Sequence, residues 1–182
     1  FQNKVKTGSF WAWGRKWVLF YSNLGIHALR PAEQTEEFDE FSNQEIPNEL
    51  TGCIEAAVGG EPIRDCVILC PKGTMFQFTV WQALLDIPAG QIRTYQEVAQ
   101  MIGKEGAVRA VGAACAANPI PFLIPCHRVV ASDGSLGGYS LGLELKQRLL
   151  ELEREKSSGK VHLPSRVVHL RFWFEEFAKQ SF

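Results

Sequence analysis

Long apolar runs are missing from this sequence: nothing approaches the roughly 18 to 20 residues a membrane-spanning helix needs. The first stretch, Phe1 to Trp13, also lacks the apolar core of a signal peptide. There is no sustained heptad, which excludes a coiled coil. There is no excess of base either: the net charge is -1, so nucleic-acid binding has to be argued from local features. The five cysteines (Cys53, Cys66, Cys70, Cys115 and Cys126) are an odd number without a CxxC pair, which suggests neither a disulfide framework nor a zinc ribbon. What remains, 46% hydrophobic residues in a chain of 182, is enough to bury a core without staples. The expectation is a soluble, intracellular, monomeric globular protein with free thiols, cytoplasmic in a prokaryote and nuclear in a eukaryote.

The chain divides into two patterns and a tail. Trp17 to Tyr21 and Ile26 to Leu29 read as a hairpin joined by Ser22-Asn23-Leu24-Gly25, with Pro31 as its end. From Glu33 to Glu49 seven acids occur with no base, which reads as a solvated face or loose linker. A helix around Leu50 to Val58 and a buried strand at Cys66 to Cys70 complete a small α+β unit, bounded at Pro71-Lys72-Gly73. The pattern then turns helical. Phe76, Val80, Leu84 and Ile87 recur at helical spacing. Thr94 caps a second helix with Glu97 three places on, Gly103 closes it, and Ala107 to Ala117 forms a third. That succession outlines a helix-turn-helix. A last helix runs from about Leu143 to Glu153. The predicted fold is therefore α+β, with a small sheet-and-helix domain over residues 1–73 and a mostly helical domain over 74–153. A tail of unassigned role covers 154–182.

Between the third and last helices the regularity stops. Asn118 to Pro125 is a loop stiffened by three prolines, and it delivers Cys126-His127-Arg128. A thiolate is the reactive form of cysteine, and a nearby imidazole is a common means of making one near neutral pH. In an extended segment adjacent side chains point apart, so His127 need not touch Cys126 and could act on it through a water. Residue chemistry alone leaves a nucleophilic and a structural Cys126 equally open.

Ile124-Pro125-Cys126-His127-Arg128-Val129-Val130 resembles the active-site signature of the O6-alkylguanine-DNA alkyltransferases. Arg109-Ala110-Val111-Gly112, Asn118-Pro119 and Gly137-Gly138-Tyr139-Ser140 follow the same family's order and spacing. The resemblance implies stoichiometric transfer of an alkyl group from O6-alkylguanine in double-stranded DNA, or from O4-alkylthymine, to the protein's own cysteine, with no cofactor. On that resemblance Cys126 is the acceptor, His127 with a water the base, and Glu153 the group that orients the imidazole. Tyr95 is the donor to the departing base, and Asn118 turns the chain while bonding near the thiolate. Ser140 and the backbone of Cys126 and Val129 contact the guanine edge, and Tyr139 stacks as a pocket wall. Arg109 starts a face of small residues, Ala110, Ala113, Ala114 and Ala117, and fills the gap left when the damaged nucleotide is flipped out.

Six bases against seven acids between Phe76 and Glu153 predict modest, weakly sequence-dependent DNA binding. Some members of the family hold a zinc with a cysteine five residues before a histidine. Here Ser22 stands five before His27, so no metal is expected. Leu141 follows Ser140 where some relatives have glycine, which implies a poorer fit for large alkyl groups. The rival reading is a lesion-binding protein of the alkyltransferase-like type. Those proteins carry tryptophan in place of the cysteine, and Cys126 speaks against it.

Overall fold

The structure, a computed structural model, describes residues 4–35, 44–60, 67–157 and 168–170. Cys66, most of the acidic run, and Arg166, Arg171 and Phe172-Trp173-Phe174 of the tail lie outside the described residues. The described residues are mixed α+β: a five-stranded sheet, five α-helices and a two-residue parallel pair.

Strands β1 (Lys6–Ala12), β2 (Arg15–Ser22) and β3 (Gly25–Pro31) form an antiparallel meander. Strand β2 carries Trp17, Val18, Leu19 and Tyr21, all buried; Val18 points opposite to Trp17 and Leu19, so both faces of the strand are covered there. After α1 (Asn48–Val58), β4 (Val67–Leu69) joins β3 in parallel, and β7 (Val168–Leu170) joins β4 in parallel. The order is β1-β2-β3-β4-β7. Gly25 allows this packing. With φ at +135° and the carbonyl oxygen of Ile68 2.2 Å from where a Cβ would sit, no other residue fits there.

Ser22 and His27 bond to each other and to the backbone. His27 Nδ1 donates to the Cys70 carbonyl (3.1 Å), which leaves Nε2 to accept from the Ser22 hydroxyl at 2.7 Å.

Helix α2 (Met75–Leu85) opens with a capping box between Thr74 and Gln77, and α3 (Tyr95–Met101) with the predicted one between Thr94 and Glu97. Gly103, at φ +65°, follows the end of α3. Helix α4 spans Val108–Ala116 and α5 spans Leu143–Ser157, one turn beyond the expected end. The short strands β5 (Arg93–Thr94) and β6 (Val129–Val130) pair in parallel and fix the segment after the cysteine against the start of α3. One correction concerns α4. Ala114 is not on its open face but buried, its carbonyl accepting from Trp81 Nε1 (2.9 Å), and Ala116 takes its place beside Ala110, Ala113 and Ala117.

The core is continuous from the sheet to the proline loop. Trp17 meets Phe122 edge-on with ring centroids 5.0 Å apart, and Leu29 N–H donates to the Pro119 carbonyl at 2.8 Å. The sheet thus backs the loop that carries Cys126. Phe122 sits at φ +70°, a conformation that costs a non-glycine residue on the order of 1 kcal/mol, so its buried ring must hold it there. Phe122→Ala is expected to destabilise the fold by about 3–5 kcal/mol in urea unfolding, mostly through the cavity it leaves.

Candidate active site

Cys126 opens a single 3-10 turn, Cys126–Arg128, placed there by Pro125. Its thiol is buried but forms part of the wall of a cavity of about 320 Å³. The other lining residues are Tyr95, Gly112, Cys115, Ala116, Gly138, Tyr139 and Ser140. Four of the residues expected at the site from the sequence, Tyr95, Cys126, Tyr139 and Ser140, therefore meet around one space.

Asn118 is fixed from both ends. Its Oδ1 accepts from Ile120 N–H at 2.9 Å, and its Nδ2 donates to the Ile124 carbonyl at 2.8 Å and to the Cys126 sulfur at 3.0 Å. An amide N–H aimed at sulfur favours the anion. Burial holds the Cys126 thiol above its ordinary value, and the Asn118 bond and then the Lys146 charge offset only part of that rise.

Behind the thiol lies a buried charged cluster. His127 Nε2 is 2.8 Å from Glu153 Oε1. Arg128 donates to the same carboxylate through Nε (3.0 and 3.2 Å) and an NH2 group (2.8 Å), and Gly90 N–H adds a further bond at 3.2 Å. Arg128 also donates to the Ile87 carbonyl. Burial alone raises the Glu153 carboxyl, but the His127 hydrogen bond and the bonds and charge of Arg128 outweigh it and hold the group at about 2. Glu153 is therefore ionised. Burial lowers His127, against the opposing pull of Glu153, so the imidazole rests neutral. A carboxylate can only accept, so the single ring proton lies on Nε2 and Nδ1 carries a lone pair. That nitrogen is buried and has no hydrogen-bond partner among the described residues. A neutral imidazole with its outer nitrogen bare, next in sequence to a buried thiol, is arranged to receive a proton.

The remaining positions differ in what they touch. Tyr95 donates weakly to the Gly138 carbonyl at 3.4 Å, and burial raises its phenol. The Tyr139 hydroxyl is buried without a hydrogen-bond partner among the described residues. Burial first, and the neighbouring Cys126 second, hold it well above the usual phenol value. Val129 is buried, and its carbonyl accepts from Lys146 Nζ. Neither Val129 nor Arg109 lines the cavity. Arg109 is exposed on the first turn of α4, one helix turn before Gly112, which does line it.

Two residues not expected from the sequence belong to the site. Arg128 supplies the charge that keeps Glu153 ionised, and Lys146 lies fully buried on α5. Lys146, Leu149 and Glu153 form one buried stripe of α5 at spacings of three and four residues, so a lysine on the same face as an expected site carboxylate was a legible signal.

Residues 75–155 match the family model for the DNA-binding domain of 6-O-methylguanine DNA methyltransferase. A methylated-DNA–protein-cysteine methyltransferase of Methanosarcina barkeri is 48% identical over 115 residues, covering 63% of this chain and 73% of the relative. One from Mycolicibacterium paratuberculosis is 43% identical over 138 residues, covering 74% and 84%. Among solved structures, that of Mycobacterium tuberculosis OGT in complex with DNA superposes with a TM-score of 0.72 at 37% identity, covering 84% of this chain and 94% of that one. A buried cysteine beside a histidine–glutamate pair, found with this degree of likeness across sheet and helices alike, places the chain in the methylated-DNA–protein-cysteine methyltransferase family.

Proposed function

We propose that the protein repairs alkylated DNA by direct reversal, moving the alkyl group of O6-alkylguanine in a duplex onto Cys126 in a single turnover. The observation that carries this reading is the thiol at the cavity wall with a neutral His127, held by Glu153 with Nδ1 free to accept. The thiol proton passes to His127 Nδ1 directly or through one water, and the sulfur attacks the alkyl carbon in line. A C–S bond forms as the C–O6 bond breaks, the electron pair leaves with the oxygen, and Tyr95 supplies a hydrogen bond or proton to the departing base. The thioether has no leaving group that water can displace, so the protein is spent. Asn118 steadies the thiolate. Tyr139 walls the base, while Ser140 and the backbone of Cys126 and Val129 meet its edge.

Reaching a base inside a duplex requires flipping it out. Helices α3 and α4 serve as the helix-turn-helix, with the small exposed residues Ala110, Ala113, Ala116 and Ala117 letting α4 approach a groove closely. Arg109, exposed beside them, occupies the stack in place of the departed base. In this reading residues 1–73 form the supporting domain, 74–153 the domain that binds DNA and carries the reaction, and 154–182 a tail.

Nucleoside analysis of an O6-methylguanine duplex after mixing is expected to show guanine restored in a 1:1 ratio to protein. Continued turnover would overturn the reading. Flipping costs a few kcal/mol, and less at a weak pair. Arg109→Ala should accordingly slow repair in a fully paired duplex by about 10- to 100-fold, repair opposite a mismatch less, and transfer from free O6-methylguanine base hardly at all. Equal losses on both duplexes, graded by salt, would instead make Arg109 a phosphate contact.

A further inference from the structure

Lys146 is the one fully buried lysine among the described residues, and the mechanism above gives it no part. Its Nζ donates to three carbonyls: those of Val129 and Leu136, and that of Gly138 at 3.4 Å. A neutral amine has only two N–H bonds. Three acceptors that cannot donate in return favour the ammonium form, against the burial that lowers the Lys146 amine. The charge also stands 5.9 Å over the Tyr139 ring, a cation–π contact on the wall of the cavity.

The three carbonyls belong to two segments. Val129 directly follows the Cys126–Arg128 turn, whereas Leu136 and Gly138 lead into Tyr139 and Ser140. Lys146 is thus a tie between the nucleophile's segment and the opposite wall. It also shares the Gly138 carbonyl with the Tyr95 hydroxyl. When Tyr95 turns to a departing base, Lys146 keeps that carbonyl satisfied, so Tyr95 moves without stranding a buried acceptor.

The ionisable groups around the ammonium come from every neighbouring element. They are Cys126 and His127 on the 3-10 turn, Cys115 on α4, Tyr95 on α3, Tyr139 on the Gly-rich turn, and Glu153 two helix turns along α5. Cys115, pushed up to about 12 chiefly by burial, stays a thiol at neutral pH. Burial raises Cys126 as well, but of the two thiols Cys126 is the one that receives the Asn118 N–H, so it is the group whose anion the ammonium serves.

Building on Cys126 as the nucleophile, we propose that Lys146 is a positioning residue of the transfer reaction. It ties the Gly137–Ser140 wall to the segment carrying Cys126, and its ammonium charge stabilises the Cys126 thiolate.

The test uses the full chain with Lys146→Gln, Lys146→Met and Lys146→Arg. Two rates are read for each: carboxamidomethylation of Cys126 by iodoacetamide as a function of pH, quantified on the Cys126 peptide, and methyl transfer from an O6-methylguanine duplex. Lys146→Gln should raise the pH midpoint of carboxamidomethylation by about one unit, a roughly tenfold slower reaction below the midpoint. Lys146→Met serves the same purpose if the glutamine variant does not fold. Lys146→Arg should keep the midpoint while its methyl-transfer rate falls, because a planar guanidinium cannot reproduce the three-carbonyl tie. A wild-type midpoint in the neutral variants, an equal shift in Lys146→Arg, or failure of both neutral variants to fold would overturn the proposal. If the wild-type protein takes no methyl group from DNA, the repair function falls, and the iodoacetamide profile still decides the role of Lys146.

Discussion

Cys126→Ser is expected to abolish alkyl transfer, a loss on the order of 10⁴-fold or more, while leaving recognition of the lesion duplex in place. A hydroxyl in the same position remains protonated and attacks saturated carbon poorly, whereas sulfur combines a lower pKa with a soft, polarisable lone pair. The surroundings reinforce the difference. The Asn118 amide is held by Ile120 and Ile124 so that its remaining N–H meets the sulfur at 3.0 Å. Cys126→Ala should likewise still bind O6-methylguanine duplex, because Tyr95, Ser140 and the exposed face of α4 do not depend on the thiol. Single-turnover transfer of a labelled methyl group, together with fluorescence anisotropy, checks both halves. Joint loss of transfer and binding would make the cysteine a structural residue.

Glu153 carries the second large effect. Glu153→Gln keeps the volume but replaces an acceptor-only carboxylate by a group that also donates. The preference for a proton on His127 Nε2 disappears, and with it the bare Nδ1 that receives the thiol proton. Transfer is expected to fall by about 10²- to 10⁴-fold, by analogy with exchange of the acid in a serine-protease triad.

Stability should change as well, since Arg128 loses its buried partner; a broken buried ion pair typically costs about 3–5 kcal/mol. The pH dependence has a definite sign. The folded carboxyl lies at about 2 against an ordinary 4.5, so its stabilisation is fully present above about 4.5 and is lost as pH falls from there towards 2. Urea unfolding of the wild type should show that loss, and Glu153→Gln should lack the contribution throughout. A variant with wild-type transfer and stability would reduce Glu153 to a helix-end carboxylate.

Much of the site was legible because local chemistry writes it. The Thr94–Glu97 capping box fixed the start of α3, and the prolines of the Asn118–Pro125 loop announced a rigid platform before Cys126. Less legible were features that depend on distant partners. Strand β1 buries only Gly8 and alternates weakly, so nothing in Lys6–Ala12 marks it as an edge strand until β2 pairs with it. The pairing of β7 with β4 joins segments about a hundred residues apart, and no local pattern encodes that register. Ala114 was misassigned for a related reason. On an alanine-rich helix all faces have nearly the same hydrophobicity, and Trp81 on another helix decides which one is covered. Lys146 escaped notice because lysine is read as surface by default. Its place on the Leu149–Glu153 face of α5 was the one local signal, and the three carbonyls that converge on it account for its burial.

The most direct measurement of the central claim is intact-mass analysis of the wild-type protein after mixing with an excess of duplex containing one O6-methylguanine, followed by peptide mapping. The account predicts a gain of one methyl group per molecule, located on the peptide bearing Cys126, with no further gain on longer incubation. A methyl group on Cys115 or any other residue, or an unchanged protein mass while O6-methylguanine disappears from the duplex, would contradict it.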